Sequence, residues 1–223
     1  MPPKPKFTRQ LVIDTGFALV REQGASALTA RELASRLGAS PSPIFTLFCD
    51  MDEVRGEVFS CATALFKRYM AVAEDYCPAY KKRGMQWVRF AQDEPELFRM
   101  LFMQKTDGEL EFTHVIRAMP FGWESDTEII MHDYHATREQ ADRLFRQMWI
   151  YTYGLCVLCA NRVCTFTEEE IAVQLGEIFS GMIHVLRAGG VPFSKLQPMD
   201  AAKADILNGS YPDLREREAE RQP

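Results

Sequence analysis

The side chains able to do covalent or metal chemistry in this 223-residue chain are few and scattered. His132 and His135 stand three apart, as do Cys156 and Cys159, and Cys164 follows closely. Such spacings suit metal ligands or a thiol redox pair. The competing reading is packing: Cys156 and Cys159 lie in a helical run of Leu, Val and Ala, where a thiol serves as a small apolar group. The sequence holds no glycine-rich phosphate loop, no nucleophile elbow and no HExxH pattern. Neither catalysis nor a resident metal or cofactor is expected. A second set of residues suits binding rather than reaction. Trp87, Phe90, Phe102, His114, Trp123, Gln147 and Tyr153 combine aromatic surface with a few polar tips, the composition of an apolar ligand pocket. Met119 to Trp123 reads as a broken aromatic lip to it. The alternative for these aromatics is again the ordinary core.

The elements that must position these groups are helices. Apolar residues recur at helical spacing along the chain, and sustained strand alternation is lacking. Four segments carry a Ser or Thr three residues before Glu or Gln: Thr29–Glu32, Ser125–Glu128, Thr137–Gln140 and Thr167–Glu170. Each reads as a capping box at a helix start. The first helix is expected from Thr8 to Gln23, stopping at Gly24. A second runs from Ala30 to Leu37, and a short third from Pro41 to Leu47 with Ser40 as its cap. A long helix leaves Asp50 and enters the 70s. Later helices are expected near Glu96–Gln104, Asp126–His135, Arg138–Asn161 and Glu168–Ala188.

Charge divides unevenly. The chain carries a formal net charge of −5, yet residues 1–68 hold nine basic against seven acidic side chains. Affinity for phosphate is therefore expected near the N-terminus. The opening Met1–Lys6 has no apolar core of a signal peptide, and no apolar run is long enough to span a bilayer. With six cysteines in no compact disulfide spacing, a cytoplasmic chain without membrane contact is expected.

Residues 28–48 place two short helices around a tight turn at Gly38–Ala39. Leu33, Ala34 and Leu37 face inward from the first, and Ile44, Leu47 and Phe48 from the second. A simple helical hairpin in a bundle would share this spacing. The run from Thr8 to Phe59, however, resembles the N-terminal domain of the TetR family of transcriptional regulators. The residues that carry the resemblance are Val12-Ile13, Ala18-Leu19-Val20 before Gly24, Leu28-Thr29, Arg31-Glu32-Leu33-Ala34, Leu37-Gly38-Ala39-Ser40, Ile44-Phe45-Thr46-Leu47-Phe48 and Asp52-Glu53. Pro95–Phe102 and Trp149–Leu155 are similar to stretches in C-terminal domains of that family.

The resemblance implies an all-α Ω-shaped homodimer. A helix-turn-helix head over residues 1–52 would enter the major groove of a palindromic double-stranded DNA operator. A helical body over 53–193 would bind a small-molecule effector that releases the DNA, and a polar tail would follow from 194 to 223. Self-association through the last two long helices is expected, with Ala172, Gly176, Ser180 and Gly181 allowing close approach; packing within one chain is the alternative. On the head, Thr29, Arg31 and Ser40 sit at helix starts suited to phosphate, supplemented by Lys4, Lys6 and Arg9. Ser42 and Thr46 could bond to base edges, and the Pro41 and Pro43 rings could touch thymine methyls. The chain departs from the family at Phe45, usually Tyr, and at Met51, often Lys. Each departure gives up a phosphate contact. With no Arg, Lys, Asn, Gln or His between Gly38 and Phe48, base readout is expected to be modest and helped by DNA shape. A helical small-molecule-binding or scaffold protein with weakened or lost DNA binding is the rival reading.

Overall fold

The computed structural model describes residues 7–75, 78–104, 108, 111–117 and 122–189. Lys4, Lys6, Met119–Phe121 and the tail from Ser194 lie outside them. The described chain is all-α: α1 Arg9–Gln23, α2 Ala30–Arg36, α3 Met51–Ala71, α4 Ala79–Asp93, α5 Pro95–Phe102, α6 Phe112–Arg117, α7 Trp123–Tyr134, α8 Arg138–Ala160 and α9 Glu168–Arg187. No strand occurs among the described residues. The chain up to Ala188 forms one compact unit.

The helix starts show which caps work. At α8 and α9 both halves of the capping box form, with Thr137 and Thr167 accepting from the third helical amide and Gln140 and Glu170 returning a bond to the cap amide. Thr29 makes half a box: its hydroxyl accepts from Glu32 N at 3.2 Å. Its own amide is already bonded to the Ala27 carbonyl, so nothing is left for Glu32 to satisfy. The Ser125 box does not form. Helix α7 begins earlier, at Trp123, and Ser125 donates back to the Gly122 carbonyl at 3.1 Å from inside the first turn.

The expected short α-helix over Pro41–Leu47 is also corrected. Only Ile44–Thr46 is helical, as a single 3₁₀ turn, and Ser40 does not cap it. Two prolines explain this. Pro43 disfavours helical backbone at Ser42, the residue before it, so a helix cannot start at Pro41 and run on. Ile44 N bonds Pro41 O at 3.0 Å, and Phe48 N then reaches Ile44 O, also at 3.0 Å. The turn before it is held by Gly38 at φ 63°, a left-handed conformation that a side chain resists. Ile44 and Phe48 pin the segment to a core of Val12, Leu19, Leu33, Ala34, Val54 and Val58. This head leads directly into α3, which runs on into the larger helical body.

In the body, α4 packs on α3, α5, α7, α8 and α9. Phe66, Phe90 and Phe98 are wholly buried, with Phe66 edge-on to Phe90 at 5.0 Å. Sealing each such ring contributes on the order of 2–3 kcal/mol. Head and body also meet away from α3. Arg21 near the end of α1 grips Glu94 at the α4–α5 corner, a carboxylate only 3% exposed.

Candidate functional site

On the head, the turn of Pro41–Thr46 projects to solvent. Thr29, Arg31, Ser40, Pro41, Ser42, Phe45 and Thr46 are exposed, and Pro43 is half-buried. Phe45 is 46% exposed, so its ring is offered outward rather than spent on the core. Thr46 is partly committed, since its hydroxyl donates to the Pro43 carbonyl at 2.7 Å.

Arg9 is placed differently from the sequence expectation. Its guanidinium donates to the Leu47 carbonyl at 3.0 Å and to Glu53 and Glu57 at 2.7 Å each. It also lies over the Phe48 ring at 4.2 Å. These bonds raise its pKa further, Glu57 first and Glu53 next. Arg9 thus ties α1 to the turn and to α3. Other head arginines are committed too: Arg21 to Glu94, Arg36 to Glu22 and Arg55 to Asp52. Among the described residues of the head, Arg31 is the one arginine outside a salt bridge. At the start of α3, Asp50 accepts from Glu53 N at 2.9 Å, and Glu53 accepts from Cys49 N at 2.7 Å. Carboxylates therefore fill this helix N-terminus, where Met51 offers no cation.

In the body, a cavity of about 610 Å³ opens between the end of α3 and helices α4, α7, α8 and α9. Its walls are mostly apolar, including Trp87, Met148, Trp149, Leu175 and Phe179. Polar groups enter from α4 and α7. Arg83 pairs with Asp126 and donates to Ser125 Oγ at 3.2 Å. Burial pushes the Asp126 carboxyl up, and the Arg83 charge and hydrogen bond oppose that. The buried Thr152 also lines the wall.

Of the seven pocket residues expected from sequence, Trp87 lines this cavity. The others go elsewhere, for visible reasons. Phe90 and Phe102 close around Phe66 in the core. Tyr153 donates to the Phe102 carbonyl at 2.9 Å and stacks on Trp149 from behind the wall, with ring centroids 4.9 Å apart. Trp123 donates to Asp142 at 3.0 Å. His114 and Gln147 face solvent. Sequence reasoning missed Lys81, Arg83 and Asp126. Lys81-Lys82-Arg83 spans about 200° of a helix, which an outward face can hold, so no local signal marks which of them turns inward.

Cys156 is fully buried and Cys159 nearly so, and burial pushes both thiols up, Cys159 to about 11. Cys159 donates to Gln92 Oε1 at 3.4 Å. No cluster of three or more potential metal-ligating side chains occurs among the described residues. No helix among them is long and apolar enough to cross a membrane.

These features define an all-α chain with a small N-terminal helix-turn-helix head and a cavity-bearing helical body. No family model matches the chain, and no curated protein matches it. Among solved structures it is similar to the fatty acid degradation regulator FadR from Bacillus halodurans. The TM-score is 0.52 at 15% identity, over 84% of this chain and 98% of the other. At that identity the likeness speaks to the fold.

Proposed function

We propose that this chain is a TetR-like, DNA-binding transcriptional regulator, a repressor released from a palindromic operator by a small ligand. The observation that carries the reading is the solvent-facing Pro41–Thr46 turn. It is anchored by Ile44 and Phe48 and held at a fixed angle to α2 by Gly38. The fold likeness to FadR, a fatty acid degradation regulator, supports the same direction.

The effector would occupy the α4–α9 cavity, whose volume suits a drug-sized molecule. Helix α4 carries Lys81, Arg83 and Trp87 at the cavity and ends at Glu94, where Arg21 of the head is held. A ligand that displaces α4 would therefore act on the head through that pair as well as through α3. For two heads to meet successive grooves the chain must pair. Helices α8 and α9 offer Ile150, Leu158, Val173 and Ile178 to solvent, and Gly154 and Gly181 leave open space beside them. An apolar face of this kind supports a four-helix interface between two copies.

One observation favours the rival, a ligand-binding or scaffold protein with weakened DNA binding: the head's arginines are nearly all held by carboxylates. A gel shift with the DNA flanking the chain's own reading frame, run at two salt concentrations, separates the two. Binding that weakens with salt supports the regulator. No shift at low salt leaves the rival standing.

A further inference from the structure

Resting on the reading of the α4–α9 cavity as an effector site, we propose that its ligand is an amphipathic anion: an apolar or aromatic body with one negatively charged headgroup. The cavity wall carries four cations, Lys67, Lys81, Arg83 and Arg187, against two carboxylates, Glu74 and Asp126. This excess sits in a chain that is acidic overall, with a net charge of −5. Asp126 is already consumed by Arg83. Lys67 and Lys81 make no salt bridge among the described residues.

Lys81 is the better placed of the two. It is half-buried and lies across α9, with Nζ only 3.3 Å from where a Cβ on Gly176 would stand. The missing side chain at Gly176 gives the ammonium its room at the wall. A half-buried ammonium beside apolar rings binds an anion more strongly than one in bulk water does. Below it, Trp87, Trp149, Leu175 and Phe179 accept an uncharged body. A neutral ligand would fill the apolar part and leave the lysine without a partner. An ammonium is a point charge, so carboxylate, sulfonate and phosphate headgroups share the needed chemistry.

The test uses two probes with the same aromatic body: 1-anilinonaphthalene-8-sulfonate, an anion, and N-phenyl-1-naphthylamine, its uncharged counterpart. Binding to the full chain is read by energy transfer from tryptophan, since Trp87 and Trp149 line the wall. The anion should bind roughly tenfold more tightly, the scale of one charge-assisted hydrogen bond. Lys81→Gln should remove most of that advantage and leave the neutral probe unchanged. Gly176→Val, which crowds the ammonium, should act in the same direction, and circular dichroism of both variants checks that they fold. Equal affinities for the two probes overturn the anion assignment while the cavity keeps its role as a ligand site, and an advantage that survives Lys81→Gln overturns the role given to Lys81. If neither probe binds, the effector-site reading falls with it. Dodecanoate and dodecyl phosphate, used below their micellar concentrations as competitors, then distinguish a carboxylate source from a phosphate one.

Discussion

Removing the Arg21 guanidinium would leave the Glu94 carboxylate sealed in the α4–α5 corner with no cation beside it. Glu94 is 3% exposed while Arg21 is 55% exposed, so the two partners are unequally dependent on each other. Arg21 Nε donates to Glu94 Oε2 at 2.6 Å, and a second donor of the same guanidinium reaches Oε1. Breaking a wholly buried pair costs roughly 3–5 kcal/mol. Because Arg21 is half in water, solvent can enter the space it leaves. The loss for Arg21→Ala is therefore set lower, at ~2–3 kcal/mol. In a folded unit of this size each kcal/mol moves the melting temperature by about 2–4 °C, giving a drop of about 4–12 °C. Thermal unfolding followed by circular dichroism measures it. Glu94→Gln added to Arg21→Ala should restore stability, because a neutral amide is cheaper to bury than an uncompensated charge. A single variant melting within about 1 °C of the parent, or a double variant less stable than the single, would refute the view that this pair holds head to body.

Other outcomes follow from the same geometry. Phe45→Tyr returns a hydroxyl to the exposed turn and should tighten operator binding about fivefold, while Met51→Lys should steepen the logarithmic salt dependence by about 0.9; fluorescence anisotropy across a salt series reads both. The Glu53 carboxyl is held below the usual carboxylate range, first by the Cys49 amide and then by Arg9. The unfolded carboxyl therefore takes its proton first as pH falls, so this contribution is present above the ordinary carboxylate pKa and lost as pH drops through the folded value; urea midpoints should fall over that acid range, less steeply in Glu53→Gln. At pH 8, iodoacetamide followed by mass spectrometry should label exposed Cys49 well before Cys156 and Cys159, whose thiols burial raises. Glu introduced at both Ile150 and Leu158, 51% and 38% exposed, should give a monomer by sedimentation without loss of helicity.

The fold was legible where a local rule acts alone. Thr137 and Thr167 cap their helices because nothing competes for the cap amides, whereas the Thr29 amide is taken by Ala27 and its box is left half made. Helical periodicity marked α1, α2, α3, α8 and α9 to within a few residues because one face of each is buried. The Pro41–Leu47 helix failed on a rule present in the sequence but underweighted. One proline at a helix start is tolerated, but a second two residues later pushes the residue between them, Ser42, out of the helical region.

The binding residues were less legible because composition does not say which side of a wall a ring occupies. Phe90 and Trp87 are three apart on α4 and share an aromatic character, yet Phe90 faces Phe66 and Trp87 also reaches the cavity. Only the crossing of α4 with α8 and α9 decides between them, and that is long-range information. The same holds for charge. A residue count assigns the N-terminal segment a basic excess, but Arg9, Arg21, Arg36 and Arg55 spend their charge on carboxylates, Arg21 on one 73 positions away. The body's cavity, by contrast, is lined by Lys67 and Lys81, neither of which makes a salt bridge among the described residues. The partner of each cation must therefore be known before a segment's net charge is read as affinity for phosphate.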